Sequence, residues 1–278
     1  MAIFGSLTGD EKTPAENLEL VIHGGTNQAE QALFNLIRQS VENQRALLDG
    51  SELPWPLPDG FADKLAAAIA EVDEDKYSTK LALASFLAGS DPRGVEALEG
   101  LLSIPEAADS AGDVRFRTIV NLGNLAAAGL VPEGTATEKV LGFLESDDEA
   151  LRNAAAAALA FMPGEAIRPA LVATLADSSL AVRATAALSL VKLDPPGTEA
   201  ATVLRDLANQ ATYDAAREAN PRHFSRGEEV SRYRSTALEA LAHLGRDEDW
   251  AFIEGFRDDS DMNVVDSVLR LLDGRGDG

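Results

Sequence analysis

The sequence predicts an all-α fold, a right-handed α-solenoid of stacked helix pairs. Three observations carry this. Of the 278 residues, 45% are apolar, enough for an extended core. Four segments align on an arginine: Arg115, Arg152, Arg183 and Arg234. Three residues after them stand Thr118, Ala155, Ala186 and Ala237; seven after, Leu122, Leu159, Leu190 and Leu241; ten after, Leu125, Met162, Leu193 and Leu244. These offsets share one face of a helix with 3.6 residues per turn. Successive arginines are 37, 31 and 51 residues apart, which reads as a basic period of 31 with insertions in the loops.

Taken in order, Met1 to Asp10 has no basic start and no long apolar run, so it is not read as a signal peptide. Pro14 to His23 reads as a short helix ended by Gly24-Gly25. Gln28 to Leu48 reads as a longer helix with an apolar stripe of Ala29, Leu33, Leu36, Ile37, Val41 and Leu47-Leu48. The segment Leu53-Pro-Trp-Pro-Leu-Pro58 is held extended by its prolines. Trp55 within it either folds back over the end of the solenoid or anchors a partner. Residues 1–60 are therefore expected to form an N-terminal helical cap with a Pro/Trp linker, and residues 61–278 the repeat solenoid.

Second helices of the pairs are expected near 78–88, 113–128, 149–162, 179–193, 230–244 and 262–273. Asp109, Ser146, Asp177 and Glu228 stand six residues before the four arginines, where they can cap helix starts. Val140, Leu141 and Leu144, and likewise Leu171, Val172 and Leu175, mark first helices upstream of Arg152 and Arg183. Val265 begins a terminal copy that lacks the arginine. The 51-residue spacing implies an insert near 210–230, between a first helix over Glu199 to Asn209 and the second helix from Val230.

The stretch Leu175 to Leu193 resembles a HEAT repeat, and Leu144 to Met162 matches the pattern almost as well. Such short units are similar to those also found in phycobilin lyases. The composition is similar to that of proteins from halophilic archaea. The repeat resemblance covers roughly residues 61–273 and implies an architecture rather than a chemistry. It implies that Asp177 with Arg183, and Asp147 with Arg152, form rungs of a structural ladder.

The chain holds 46 acidic and 24 basic residues, a net charge of -22, and only 6 of the basic residues are lysine. Alanine accounts for 47 residues. A carboxylate-rich, lysine-poor surface suits concentrated salt, where the Debye length is about 3 Å at 1 M. It disfavours non-specific binding to nucleic acid or anionic membranes. The longest nearly apolar run, Ala154 to Met162, is far too short to span a bilayer, and the expected compartment is the cytoplasm.

Cysteine is absent, which excludes disulfides, thiolate metal sites and cysteine nucleophiles. His23 and His243 stand near helix C-termini, where an imidazole is electrostatically favoured. No zinc-protease motif, P-loop, nucleophile elbow or dinucleotide fingerprint occurs, nor the His-Glu pairs of the di-iron HEAT-repeat hydroxylases. The acidic clusters Asp73-Glu-Asp75, Asp147-Asp-Glu149, Asp247-Glu-Asp249 and Asp258-Asp259 lack calcium-loop spacing and read as solvated turns. No catalytic residue, metal or cofactor is expected.

One stretch departs from the acidic pattern: Arg217 to Arg234 has five arginines against three glutamates. Arg217, Arg222, His223, Phe224 and Arg226 are the candidate partner-binding residues of the insert, suited to an acidic segment of a protein partner. The opposing reading makes these arginines an internal salt-bridge patch. The leading function is a non-catalytic protein-interaction scaffold or adaptor. The alternatives are a lyase or chaperone for a bilin-like cofactor, an unrecognised hydrolase, and a nucleic-acid-binding solenoid. The last is disfavoured because the basic excess is confined to one insert.

The charge balance predicts salt dependence. Thermal melts in about 0.1 M and about 2 M KCl should give the higher midpoint at high salt, where carboxylate repulsion is screened. Equal midpoints would remove the inference of a salt-adapted protein.

Overall fold

The structure is a computed structural model that describes residues 12–56, 58–105, 113–132, 134, 136–219, 224 and 226–276. Met1 to Asp10, Asp109, Arg222 and His223 lie outside the described residues. The described residues form fifteen α-helices and short 3-10 turns, with no strand among them. Contacts divide the chain into two compact units, residues 1–139 and 140–278. The division does not fall at residue 60, because the long N-terminal helix packs within the first unit.

The first unit contains α1 (Pro14–His23), α2 (Thr26–Asp49), α3 (Phe61–Glu71), α4 (Tyr77–Ala88), α5 (Pro92–Leu101) and α6 (Asp113–Ala127). Thr13 caps α1 in a reciprocal box with Glu16, and Pro14 supplies a preset φ at the first turn. Leu18, Leu36, Phe61, Leu65, Leu83, Phe86 and Leu87 make one core that joins α1 through α4. Every residue of α4 from Leu81 to Ala88 is buried, as expected of a helix enclosed by neighbours. Gly94 allows α5 to lie against α4, since a Cβ there would come within 2.2 Å of the Ala88 nitrogen.

The face that α2 buries differs from the expected stripe. Ala32, Leu36, Gln39, Ser40, Asn43, Gln44 and Ala46 are buried, while Val41 and Leu48 are exposed. Hydrogen bonding makes this possible, because buried amides are tolerated when paired. Gln39 Nε2 donates to the Lys12 carbonyl at 2.8 Å, Asn17 Nδ2 donates to Gln39 at 3.3 Å, and Gln44 Nε2 donates to Asn121 at 2.9 Å.

The second unit begins within α7 (Thr137–Gly142) and continues through a 3-10 turn (Phe143–Glu145), α8 (Glu149–Leu159) and α9 (Ile167–Thr174). Then follow α10 (Leu180–Lys192), α11 (Ala201–Ala208), α12 (Gln210–Ala219), α13 (Gly227–Leu244), α14 (Asp247–Glu254) and α15 (Met262–Gly276). Each of the six expected second helices is a helix: α4, α6, α8, α10, α13 and α15. In α8, the buried Ala154, Ala155, Ala156 and Ala158 leave room for neighbouring backbones.

The helix-B arginines join one repeat to the next, with a pairing that differs from the expected one. Arg152 donates to the Ser146 carbonyl of its own turn at 2.8 Å, and Arg183 likewise to the Asp177 carbonyl at 2.7 Å. The carboxylate partner comes from the following repeat. Arg152 holds Asp177 through Nε at 2.8 Å and Nη2 at 3.2 Å. Asp147 offers Arg152 only its carbonyl. The turn residue equivalent to Asp177 is Ser146, since each of the two side chains accepts from the backbone N–H two residues on.

The same arrangement recurs at Arg234. It donates to Asp259 at 3.1 and 2.5 Å, again 25 residues ahead, and to the Ala208 carbonyl at 2.7 Å. A second tie accompanies each rung 32 residues apart: Thr185 to Asn153 at 2.6 Å, and Ser267 to Ser235 at 3.1 Å. Between α10 and α13 the rung is absent: the residue 25 after Arg183 is Ala208.

Burial opposes ionisation of Asp177 and Asp259. The hydrogen bonds from Arg152 and Arg234, and from the backbone N–H of Ser179 and Asp261, outweigh it, so both carboxyls titrate below the ordinary 3.8. Depressed folded-state values mean that this stabilisation is complete above the unfolded pKa and is lost as pH falls through the folded one. Urea melts of the protein should therefore weaken below pH 3.8, and less so in Asp177→Asn. Asp259→Asn at neutral pH leaves Arg234, 2% exposed, without its counter-charge. It should cost about 3 kcal/mol, whereas Asp63→Asn, on the surface beside Arg93, should leave the melt unchanged.

Candidate functional site

The insert is not a bare loop. Its first part is α12, whose Tyr213 is 1% exposed and donates its hydroxyl to the Leu207 carbonyl at 2.9 Å. Burial raises the pKa of this phenol, so it stays a neutral donor. Phe224, with φ of 52°, packs edge-on against Tyr213 at 5.1 Å and Tyr233 at 5.8 Å between ring centroids. Tyr213 and Tyr233 stack at 6.4 Å, which completes an aromatic trio joining α12, the insert and α13.

The Ala208 carbonyl used by Arg234 lies 26 residues upstream, where Arg152 and Arg183 reach only six. The insert therefore separates the turn from its helix, and the aromatic trio spans the separation. Glu228 does not occupy the turn position that its spacing implies.

Of the other predicted residues in the insert, Arg217 pairs with Asp214 at 2.6 Å, and its Nε is buried with no hydrogen-bond partner. Arg226 is exposed at the start of α13. The acidic cluster at 247–249 is more than a solvated turn. Asp249 is wholly buried and accepts from Arg205 at 2.6 Å and from Arg246 at 2.6 and 2.9 Å, which ties α11 to α14. His23 and His243 stand in the last turns of α1 and α13.

Trp55 folds back onto the first unit. Asn43 brackets its backbone, accepting from Trp55 N–H at 3.0 Å and donating to its carbonyl at 2.8 Å. The indole N–H donates to Glu42 at 2.5 Å, and the Arg38 guanidinium lies 5.9 Å from the ring. The ring packs beside the core around Leu36 and Phe61.

Sequence reasoning did not single out the groove between α2, α4 and α6, a cavity of about 250 Å³. Leu81, Ala82 and Ser85 of α4 form its floor; Ile37 and Val41 line one wall, and Phe116 and Val120 the other. Of its lining residues Val41 is 51% exposed, Val120 40% and Phe116 39%. Of the residues lining the cavity, Arg117 is the one with a charged side chain. The larger groove between α13 and α15, about 700 Å³, is instead lined by Glu228, Arg232, Asp266, Arg270 and Asp273. Among the described residues no cluster of His, Asp and Glu could hold a metal ion, and no helix is long and apolar enough to cross a membrane.

Residues 137–220 match the family model of HEAT repeats. The match covers less than a third of the chain and runs from α7 through α12. No curated protein sequence matches the chain. Among solved structures, an engineered protein is similar at 18% identity and TM-score 0.41, covering 94% of this chain and 95% of its own. Human deoxyhypusine hydroxylase in complex with glycerol is similar at 16% identity and TM-score 0.35, covering 94% of each chain.

The aromatic trio makes Phe224 a packing residue. Phe224→Ala should lower stability by roughly 2 kcal/mol, less than a fully buried phenylalanine because the ring is half-buried. Arg226→Ala should stay within about 0.5 kcal/mol of the parent. Chemical melts of the two variants check the contrast.

Proposed function

We propose that this protein is a non-catalytic scaffold that binds a protein partner, and that the α2/α4/α6 groove is its principal contact surface. The observation that carries the reading is the exposed Val41 of α2, faced across the groove by the exposed Phe116 and Val120 of α6. Contiguous exposed apolar surface on an acidic, charge-rich protein marks a binding surface. The lack of a lysine and arginine run along either groove supports a protein over a nucleic acid. Arg217 and Arg226, with Arg222 and His223, remain proposed contacts of the insert, secondary to the groove. The excess of 46 carboxylates over 24 basic groups supports a salt-rich cytoplasm as the setting.

The double variant Val41→Glu, Val120→Glu alters exposed positions only, so its helicity and melting should match the parent within about 0.5 kcal/mol per site. Affinity capture from the native host at its own salt concentration should recover a partner with the parent and lose it with the variant. A variant that captures the same proteins would move the contact surface elsewhere.

A further inference from the structure

In the second unit two polar contacts fix one second helix against the next, and the sequence withholds both from one joint. Between α8 and α10 they are the rung from Arg152 to Asp177 and the tie from Thr185 to Asn153. Between α13 and α15 they are the rung from Arg234 to Asp259 and the tie from Ser267 to Ser235. Asn153 and Ser235 each directly follow their ladder arginine, and Asp177 and Asp259 each stand 25 residues after it. At the joint from α10 to α13 the residue after Arg183 is Ala184, and the residue 25 after it is Ala208. A methyl side chain neither donates nor accepts a hydrogen bond, so neither contact can form there.

Arg183 is itself set like Arg152. Its Nη1 donates to the Asp177 and Ser178 carbonyls at 2.7 and 3.1 Å, as Arg152 Nη1 does to the Ser146 and Asp147 carbonyls at 2.8 and 3.2 Å. Packing shows the same contrast. α10 lies along α8 and α15 along α13, whereas α13 packs more on α11 than on α10. The aromatic trio holds Tyr213 of α12 and Phe224 to α13, without a member from α10. The connection from α10 to α11 is, by contrast, tightly held. Gly197 N–H donates to the Leu190 carbonyl at 2.7 Å, and a Cβ at Gly197 would come within 2.9 Å of the Leu190 side chain. Arg168 of α9 donates to the Pro195 carbonyl and to Glu199.

We propose that the second unit bends at this joint, with residues 193–200 as the pivot and the unlatched edge between α10 and α13 as the side that opens and closes. Helices joined by packing alone slide and tilt past one another, whereas hydrogen-bonded ties hold a register. The pairs on either side, α8 to α10 and α11 to α15, then move as two stiffer blocks. Any ligand that binds the two curvatures unequally sets the bend. This device is separate from the groove of the first unit and does not rest on the scaffold reading.

The chain has no cysteine, so spin labels can be placed in the full-length protein one pair at a time. Ala157→Cys with Lys192→Cys spans α8 and α10, Lys192→Cys with Glu239→Cys spans α10 and α13, and Glu239→Cys with Asp273→Cys spans α13 and α15. All four positions are exposed. Because the middle pair shares a label with each of the others, the spread due to the labels themselves is matched. Distance distributions from double electron–electron resonance should be widest across α10 and α13. The double variant Asp177→Asn, Thr185→Val weakens the rung and removes the tie between α8 and α10, and should widen the distribution across those helices. A distribution across α10 and α13 no wider than the other two would overturn the bend, a comparison that needs no further variant. A double variant that is folded by circular dichroism and shows no widening would overturn the ladder as the source of stiffness, and the proposal with it.

Discussion

In the second unit the governing interaction is an arginine that serves two repeats at once. Its guanidinium satisfies carbonyls at the turn of its own repeat, then grips the carboxylate at the turn of the next. A guanidinium has five N–H donors in a rigid fork, so one side chain can meet both demands, where lysine could not do so with the same geometry. Arg152 and Arg234 show the arrangement in full, each with a partner 25 residues ahead. The tie between neighbouring second helices, 32 residues apart, repeats in step with it. Two independent contacts at constant spacing fix how far and in what register one helix pair follows another.

Where that device is missing, the chain substitutes others. Ala208 offers no carboxylate to Arg183, and the junction from α10 to α13 is the one interrupted by the insert. There the ring trio of Tyr213, Phe224 and Tyr233 spans the gap, and at the next junction the buried Asp249, shared by Arg205 and Arg246, ties α11 to α14. A fully buried carboxylate is costly unless both oxygens are met, and two guanidinium groups meet them. Much of the arginine of this acidic protein is thereby committed to internal joints, Arg226 of the insert being exposed.

The first unit solves the same packing problem with amides. Gln39, Asn43 and Gln44 occupy the buried face of α2, and each finds a partner in α1, the Trp55 segment or α6. Turning that polar face inward leaves Phe34, Val41 and Leu48 outside. The exposed apolar residues of α2 are thus a direct consequence of how its buried side is hydrogen-bonded.

The sequence by itself determined the helical character, the second helices of each pair and the site of the insert. Those follow from spacing: leucine and alanine at three, seven and ten residues after an arginine can share a face only in a helix. It also supplied the ladder residues Arg152 and Asp177, but paired each with a residue of its own repeat, since sequence proximity cannot distinguish a turn's own carboxylate from that of the next turn. Tertiary structure alone decided that Arg152 crosses to Asp177, that Phe224 packs between two tyrosines, and that α2 buries its amides and exposes its hydrophobics. Each of these depends on partners between 9 and 77 residues away, such as Gln44 on Asn121 and Phe224 on Tyr233. An apolar stripe turns inward where the polar residues beside it seek water, and here buried hydrogen-bond partners removed that constraint.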